Sequence, residues 1–462
     1  MTWNYDALYP VEPCASFADF LEKTNERYGT KIAFCSQNQE WTYHQLYQQT
    51  LSIAHDLTGF YRKNIGIKVE NPYLFCISFF AVVLSGNVAV LLDGIVPFCE
   101  KLSLTIDDEW AAAHLSNSVT EPQPIQVSIK PHELAVLAHS SGTTSVSKWI
   151  MLSQTNLLTD MRGGMQLFEY PTDAVYLNLL PYHHLFGVVA DMLGPLYSGA
   201  KICFSDSKFR FFSDLRIFRP TNLNLPPVIV EKMVQLLEQA GNSPEVFGGR
   251  LKKILCAGAA LDDTVNTALH KVGVHAYTAY GLTECSPCVS MSRDHNYKIG
   301  SAGKILPCCE AVLDDGELIV KGPTLMLGYY QDPVATKEVL RNGWLFTGDL
   351  AEIDSDGYLY LKGRKSSLIV FEDGTKQLAE DLENDLVRSS GIQEARILPV
   401  IRNGRVRLKI QIYPGTLSIE KSRCAAECWI RTRHLKSRLD TIEVVTVPFE
   451  RTALGKLKRT TD

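Results

Sequence analysis

Pro72-Tyr-Leu-Phe-Cys-Ile-Ser-Phe-Phe-Ala-Val-Val-Leu-Ser-Gly-Asn-Val-Ala-Val-Leu-Leu92 is the longest uncharged run of the chain. It is nearly as long as the roughly 20 apolar residues that a membrane-spanning helix needs. Ser85-Gly86-Asn87 breaks it in two. Residues 73–84 read as a buried helix and residues 88–92 as a buried strand. A buried helix handing over to a buried strand belongs to a layered α/β protein, so no integral membrane segment is expected.

The alternation continues outward. Residues 17–26, 43–57 and 228–239 read as helices, and residues 135–139, 174–180, 201–204 and 253–256 as short buried strands. The fold class expected is α/β with largely parallel strands. Between residues 317 and 362 the texture changes to short β-rich runs at 317–320, 350–353 and 358–361. Gly- and Asp-rich turns such as Asp354-Ser-Asp-Gly357 separate them, which suggests a β subdomain. Beyond Gly363-Arg364 come a helix near 379–389 and strands near 395–401 and 407–413. The main boundary is placed at Lys365 and Ser366. This gives a large N-terminal α/β domain, 1–365, and a small α+β C-terminal domain, 366–462.

At 462 residues the chain has room for about two to four domains of roughly 100–200 residues. Its 45% apolar and 21% charged residues exclude a largely disordered chain. A net charge of −5 argues against a nucleic-acid-coating protein. The charge is uneven: residues 366–462 hold 17 basic and 13 acidic side chains, and the rest hold 29 and 38. A basic C-terminal module suits phosphates or an acidic partner, and a chance imbalance on a solvated surface fits equally well. Neither terminus carries a secretory, lipidation or peroxisomal signal, so the 12 cysteines are expected as reduced thiols in the cytoplasm. Cys285-Ser-Pro-Cys288 lacks the second pair of a zinc ribbon, and no metal–thiolate site is expected.

Four segments carry chemistry. In Leu137-Ala-His-Ser-Ser-Gly-Thr-Thr-Ser-Val-Ser-Lys148 a buried strand runs into a hydroxyl-rich loop with one glycine and a lysine. Hydroxyls and loop amides can donate to phosphate oxygens, Gly142 permits close approach and Lys148 adds a charge. No Walker A pattern is present, and taken alone the segment also reads as a surface loop. In Ala279-Tyr-Gly-Leu-Thr-Glu-Cys285, Thr283 can donate to a phosphate and Glu284 can hold magnesium, or the segment is a loop with a capping threonine. In Trp344-Leu-Phe-Thr-Gly-Asp-Leu350, Asp349 suits ribose hydroxyls and Arg364 a sugar or phosphate, or the stretch is a hairpin turn with an exposed ion pair. Lys456, in Arg451-Thr-Ala-Leu-Gly-Lys456, is by itself a solvated charge.

In this order, and with further matches, the segments resemble the adenylate-forming (AMP-binding) superfamily over nearly the whole chain. Ser140–Lys148 resembles its phosphate loop. Leu180-Pro-Tyr-His-His-Leu-Phe-Gly187 resembles its aromatic segment, and Ala257-Gly-Ala-Ala260 its adenine-side loop. Tyr280–Glu284 matches Y-G-x-T-E in full. Gly322-Pro-Thr-Leu-Met-Leu-Gly-Tyr329, Thr347-Gly-Asp349, Gly363-Arg364 and Thr452–Lys458 match later motifs. The phosphate loop departs from the family pattern at Ser145, Ser147 and Trp149, and the hinge position is Ser366.

The resemblance implies ATP-dependent activation of a carboxylic acid to an acyl-adenylate, release of pyrophosphate, and transfer to a thiol. ATP, Mg²⁺ and coenzyme A would be the cofactors, with the phosphopantetheine of an acyl carrier protein as the alternative acceptor. It also implies the site. Ser140, Ser141, Gly142, Thr143, Thr144 and Lys148 would surround pyrophosphate. Thr283 would hold the α-phosphate and Glu284 the Mg²⁺. Tyr280 and Gly281 would lie near adenine beside Gly258 and Ala259. Asp349 and Arg364 would take the ribose, and Lys456 would assist adenylation. His184 and Gly281 would face the acid, and Gly374 would lie beside the pantetheine path. The C-terminal domain would be mobile, turning between the two half-reactions. The aromatic segment has no acid to pair an α-amino group, which favours a fatty or aryl acid. Residues 212–232 and the stretch after Gly363 lean toward fatty acyl-CoA synthetases. A catalytically weak binding relative is the reading from another class.

Overall fold

The computed structural model describes residues 5–116, 129–139, 148–205, 207–258, 261–294, 297–402 and 404–450. Two compact units result. One comprises residues 1–312, 319–346 and 353–360, the other residues 313–318, 347–352 and 361–462.

In the first unit, Pro72–Leu84 is a helix and Val88–Leu91 a strand. Asn71 begins the helix by accepting hydrogen bonds from the amides of Tyr73 and Leu74, and Pro72 occupies the first turn, where its missing N–H costs nothing. The helix is apolar all round and is buried all round, as such a helix must be. Gly86 adopts φ +82°, and the Asn87 side chain closes the break by accepting from the Lys63 amide and donating to Ser85 Oγ. Among the described residues no helix is long and apolar enough to cross a membrane.

Two sheets organise this unit. The larger has nine strands in the order Lys304–Ile305, Cys288–Met291, His275–Gly281, Lys253–Ala257, Asn222–Leu225, Val175–Asn178, Lys201–Phe204, Ile32–Cys35 and Glu40–Thr42. The six from His275–Gly281 to Ile32–Cys35 run parallel, with antiparallel strands at both edges. The second sheet has six strands: Gly328–Tyr329, Trp149–Ser153, Leu134–His139, Val88–Leu91, Asn64–Lys68 and Leu104–Asp107. Its last four are parallel. Parallel strands deliver their carboxyl ends to one edge, which is where open α/β sheets bind ligands. Gly258, the Thr283–Cys285 turn and the 179–184 segment follow such ends in the larger sheet, and Lys148 comes after the His139 end of the smaller.

The second unit is α+β. Glu394–Arg402 and Arg405–Tyr413 pair antiparallel, and Leu439–Val444 joins parallel. Helices Ala379–Ser390 and Ile419–Thr432 cover the sheet around Leu386, Ile397, Leu408, Ile410, Ala426 and Trp429. The Trp429 indole donates to Asp385 at 2.7 Å, satisfying its only polar atom.

Two expectations needed correction. The strand expected at 350–353 begins earlier, as the ten-residue strand Trp344–Ile353 that includes Thr347-Gly-Asp349, and the alternative of a hairpin turn there falls. Buried and partly buried positions alternate along it, and Gly348 carries the chain through with φ +71°, a conformation that favours glycine. The strand expected at 174–180 ends at Asn178, whose side chain turns to the Leu180 carbonyl and the Asp191 carboxyl.

Candidate active site

Tyr280 and Gly281 close the strand His275–Gly281, and Thr283–Cys285 forms the following single turn. The turn folds back tightly, with the Leu282 amide donating to the Pro287 carbonyl at 2.8 Å. A Cβ on Gly281 would stand 1.8 Å from that carbonyl oxygen, so no larger residue fits. Glu284 is held at both ends. Its carbonyl accepts from the Met326 amide and its Oε1 accepts from the Tyr329 hydroxyl, both at 2.9 Å. Lys148 Nζ stands 4.7 Å from the centre of the Tyr329 ring, a cation–π contact. The strand Gly328–Tyr329 pairs with Trp149–Ser153 and thereby brings residues 148, 284 and 329 together.

Tyr329 receives no role from the sequence alone, although it closes one of the quoted motifs. One carboxylate suffices for Mg²⁺, which takes one or two together with phosphate oxygens and waters. Glu284 fits that need, and among the described residues no group of three or more His, Cys, Asp or Glu side chains could hold a metal by itself.

His184 packs against His183, with ring centres 4.6 Å apart, and against His139 at 5.8 Å. Burial, helped by the neighbouring His183 and His139, pushes its pKa down to about 3, so the ring is neutral at physiological pH. His139 Nε2 lies 3.2 Å from Asp93 Oδ2, and Asp93 Oδ1 accepts from the Ile95 and Val96 amides at 2.8 Å each. Burial pushes the Asp93 carboxyl up, but the two amides and His139 outweigh it, and the net shift is downward. This pair is also invisible in the sequence, because nothing local links residues 93 and 139. A solvent-open cleft with an empty volume of about 800 Å³ runs past Lys68, Phe75, Asp93, Tyr182, His183 and Phe204.

Gly258 has φ +94°, a backbone region that favours glycine, directly after the strand Lys253–Ala257. In the second unit Asp349 is 9% exposed, and Arg364 Nε lies 3.0 Å from its Oδ1. Arg364 also donates to the Thr347 carbonyl at 3.0 Å, and the Asp349 amide donates to Thr347 Oγ1 at 3.1 Å. Lys365 and the Gly348 amide both bond to Glu317, at 2.7 and 3.0 Å. Gly374 has φ +83° in an open turn, where an added Cβ would meet nothing within 4 Å. Ser140, Ser141, Gly142, Thr143, Thr144, Ala259 and Lys456 lie outside the described residues.

The chain matches the AMP-binding enzyme family over residues 94–330 and belongs to it. It is 25% identical over 419 residues to a 2-succinylbenzoate–CoA ligase of Bacillus cereus, covering 83% of this chain and 86% of that protein. It is 29% identical over 308 residues to a long-chain-fatty-acid–CoA ligase of Salmonella typhimurium, covering 60% and 52%. The fold is similar to that of o-succinylbenzoate CoA synthetase from Bacillus subtilis, solved with an acyl-adenylate intermediate. The TM-score is 0.80 at 22% identity, over 97% of each chain.

Proposed function

We propose that this protein uses ATP and Mg²⁺ to convert a carboxylic acid to an acyl-adenylate, and then transfers the acyl group to the thiol of coenzyme A. The observation that carries this reading is the anchored Glu284. Within an AMP-binding enzyme, the last residue of the Tyr280–Glu284 motif is pinned by Tyr329 beside the cationic Lys148. Such a fixed carboxylate and cation suit a step in which two anions meet, where positioning and charge neutralisation carry most of the catalysis.

The remaining roles follow the family motifs. Thr283 holds the α-phosphate, and Ser140–Thr144 with Lys148 hold the departing pyrophosphate. Tyr280, Gly281, Gly258 and Ala259 border adenine, and Asp349 and Arg364 take the ribose hydroxyls. His184 meets the acid as a neutral donor, Lys456 assists adenylation, and Gly374 borders the thiol path. The chain divides functionally at Lys365 and Ser366, with residues 366–462 acting as a lid.

The acid lacks an α-amino group. A fatty acid shares its support with an aryl acid, because the relative aligned over more of this chain acts on 2-succinylbenzoate, while the fatty-acid relative aligns over 60%. Coenzyme A is the acceptor that both relatives' names carry, and nothing observed favours a carrier protein. Pyrophosphate release with Mg²⁺ and ATP, measured against 2-succinylbenzoate, aryl acids and fatty acids with and without coenzyme A, tests the reading. Sustained release requiring both an acid and coenzyme A is expected. Release that stops after one turnover despite coenzyme A would replace the acceptor with a carrier protein, and no release with any acid would overturn the reading.

A further inference from the structure

Asp191 is wholly buried and lies in a π-helical turn, Gly187–Leu193. Such turns are rare and gather at functional sites. Its carboxylate is a hub. Asn178 Nδ2 donates to Oδ2 at 2.5 Å and Asn224 Nδ2 donates to Oδ1 at 3.0 Å. The backbone of Leu179 and Leu180 also helps hold the carboxyl's pKa down against burial. Asn178 ends one strand of the parallel sheet and Asn224 lies in its neighbour. The second donor of each amide is also placed: Asn178 reaches the Leu180 carbonyl and Asn224 the Ala190 carbonyl. The Tyr182 hydroxyl donates to the Asp191 carbonyl.

These bonds close a loop. The chain leaves the sheet at Asn178, passes through Pro181 to His184, and returns into the π turn that carries Asp191. A Cβ on Gly187 would stand 2.6 Å from the Pro181 carbonyl, so the two sides of the loop are in contact. Inside it the His184 amide bonds to the Pro181 carbonyl and its carbonyl accepts from Val188. Every bond from Asp191 falls on the segment that aims the His184 ring or on the strand beside it. Burial pushes the Tyr170, Tyr176 and Tyr182 hydroxyls up, and the Asp191 charge adds to each. Burial pushes the Asp191 carboxyl up to about 7 against the pull of its amide donors, so placing an acid there is costly. A simple loop closure would be made at lower cost by an apolar contact or an asparagine.

We propose that Asp191, through Asn178 and Asn224, is a positioning residue that sets the orientation of the His184 ring and through it the affinity for the acid substrate. This rests on the proposed assignment of His184 to the acid. Losing the hub frees the 179–184 segment while leaving Thr283, Glu284 and Lys148 in place. The loss therefore falls on the acid and not on the nucleotide.

The test compares full-length wild type with Asp191→Asn, which keeps one acceptor oxygen, and Asp191→Ala, which keeps none. Acid KM is expected to rise about three-fold for Asn and ten-fold or more for Ala, with ATP KM changed less than two-fold. Equal movement of both KM values, or movement of neither, would overturn the proposal. If Asp191→Ala does not fold, Asn178→Ser removes the opposite donor and must give the same split. A second readout needs no turnover. In protein labelled with ¹⁵N-histidine, the His184 ring signals, assigned with His184→Gln, are expected to move in Asp191→Asn. Unmoved signals would overturn the positioning role. Moved signals in a wild type that activates no acid would uphold it while rejecting the assigned chemistry.

Discussion

The Tyr329 hydroxyl donates to Glu284 Oε1 at 2.9 Å, across 45 positions of sequence. A carboxylate that must meet a metal and phosphates gains from having one oxygen already fixed, because less orientation is left to be established in the bound state. The same ring lies under Lys148, so one tyrosine orders an acid and a base. Replacing Tyr329 by Phe keeps the ring for Lys148 and removes only the hydroxyl. Hydrogen bonds to charged groups contribute about 1.5–3 kcal/mol, so kcat/KM for MgATP should fall about ten-fold or more. A titration of Mg²⁺ at fixed ATP should show a weakened metal dependence. An unchanged metal dependence would remove Tyr329 from the catalytic arrangement.

Arg364 and Asp349 make the second pair, with Nε 3.0 Å from Oδ1. If Asp349 reads the ribose, wild type should discriminate against 2′- and 3′-deoxy-ATP, and Asp349→Ala should accept ATP and the deoxy analogues with nearly equal, weak kcat/KM. Steady-state competition between the nucleotides gives the answer. Retained discrimination in the variant would place the ribose elsewhere.

Lys456 carries a sharper expectation. Lys456→Ala should lose acyl-adenylate formation by roughly 10²–10³-fold, as removal of one electrostatic stabiliser does, and should spare thiol transfer from supplied acyl-adenylate. Rapid-quench measurement of the two half-reactions separates them, and equal loss of both would sink the assignment.

Gly281→Ala tests the tight turn. Its Cβ would stand 1.8 Å from the Pro287 carbonyl oxygen and 3.0 Å from the Cys288 Cα, and these backbone atoms leave little room to relax. Overpacking of this kind costs about 1–3 kcal/mol or more, so thermal unfolding should shift down by several degrees and adenylation should fall with it. A variant with wild-type Tm and activity would show that the turn yields.

His184 and Asp191 act in opposite directions on stability as pH changes. His184 has its pKa lowered from 6.5 to about 3, so between those values the unfolded chain binds more protons and stability rises with pH. Asp191 has its pKa raised from 3.8 to about 7, so across that window the folded chain binds more protons and stability falls as pH rises. His184→Gln should therefore tilt the pH–stability curve downward toward neutral pH, and Asp191→Asn should tilt it upward. Denaturant midpoints at about pH 4.5, 5.5 and 6.5 read both slopes, and variants with parallel curves would refute the assignment of these shifts.

The local elements are legible because their signals are local. Residues 72–92 resolve into helix, turn and strand through apolar continuity broken by Ser85-Gly86-Asn87, and the structure places the elements within one residue of that reading. The strand Lys201–Phe204 and the start of the helix at Ala379 fall where expected for the same reason. The strand at 350–353 is read six residues too short, because the alternation that marks residues 344–349 depends on what packs against each face. The motif Tyr280–Glu284 is legible as a motif, but the partner of Glu284 is not.

The amino-acid sequence alone determined the α/β class, the succession of elements and the family, because periodicity, turn residues and motif spacing are properties of neighbouring positions. Only the tertiary structure decided that Tyr329 meets Glu284, that Asp93 faces His139, and that Asn178 and Asn224 converge on Asp191. Those meetings depend on strand order, with Gly328–Tyr329 beside Trp149–Ser153 and Val88–Leu91 beside Leu134–His139. Strand order is set by long-range burial of whole faces, to which no short stretch of sequence is privy.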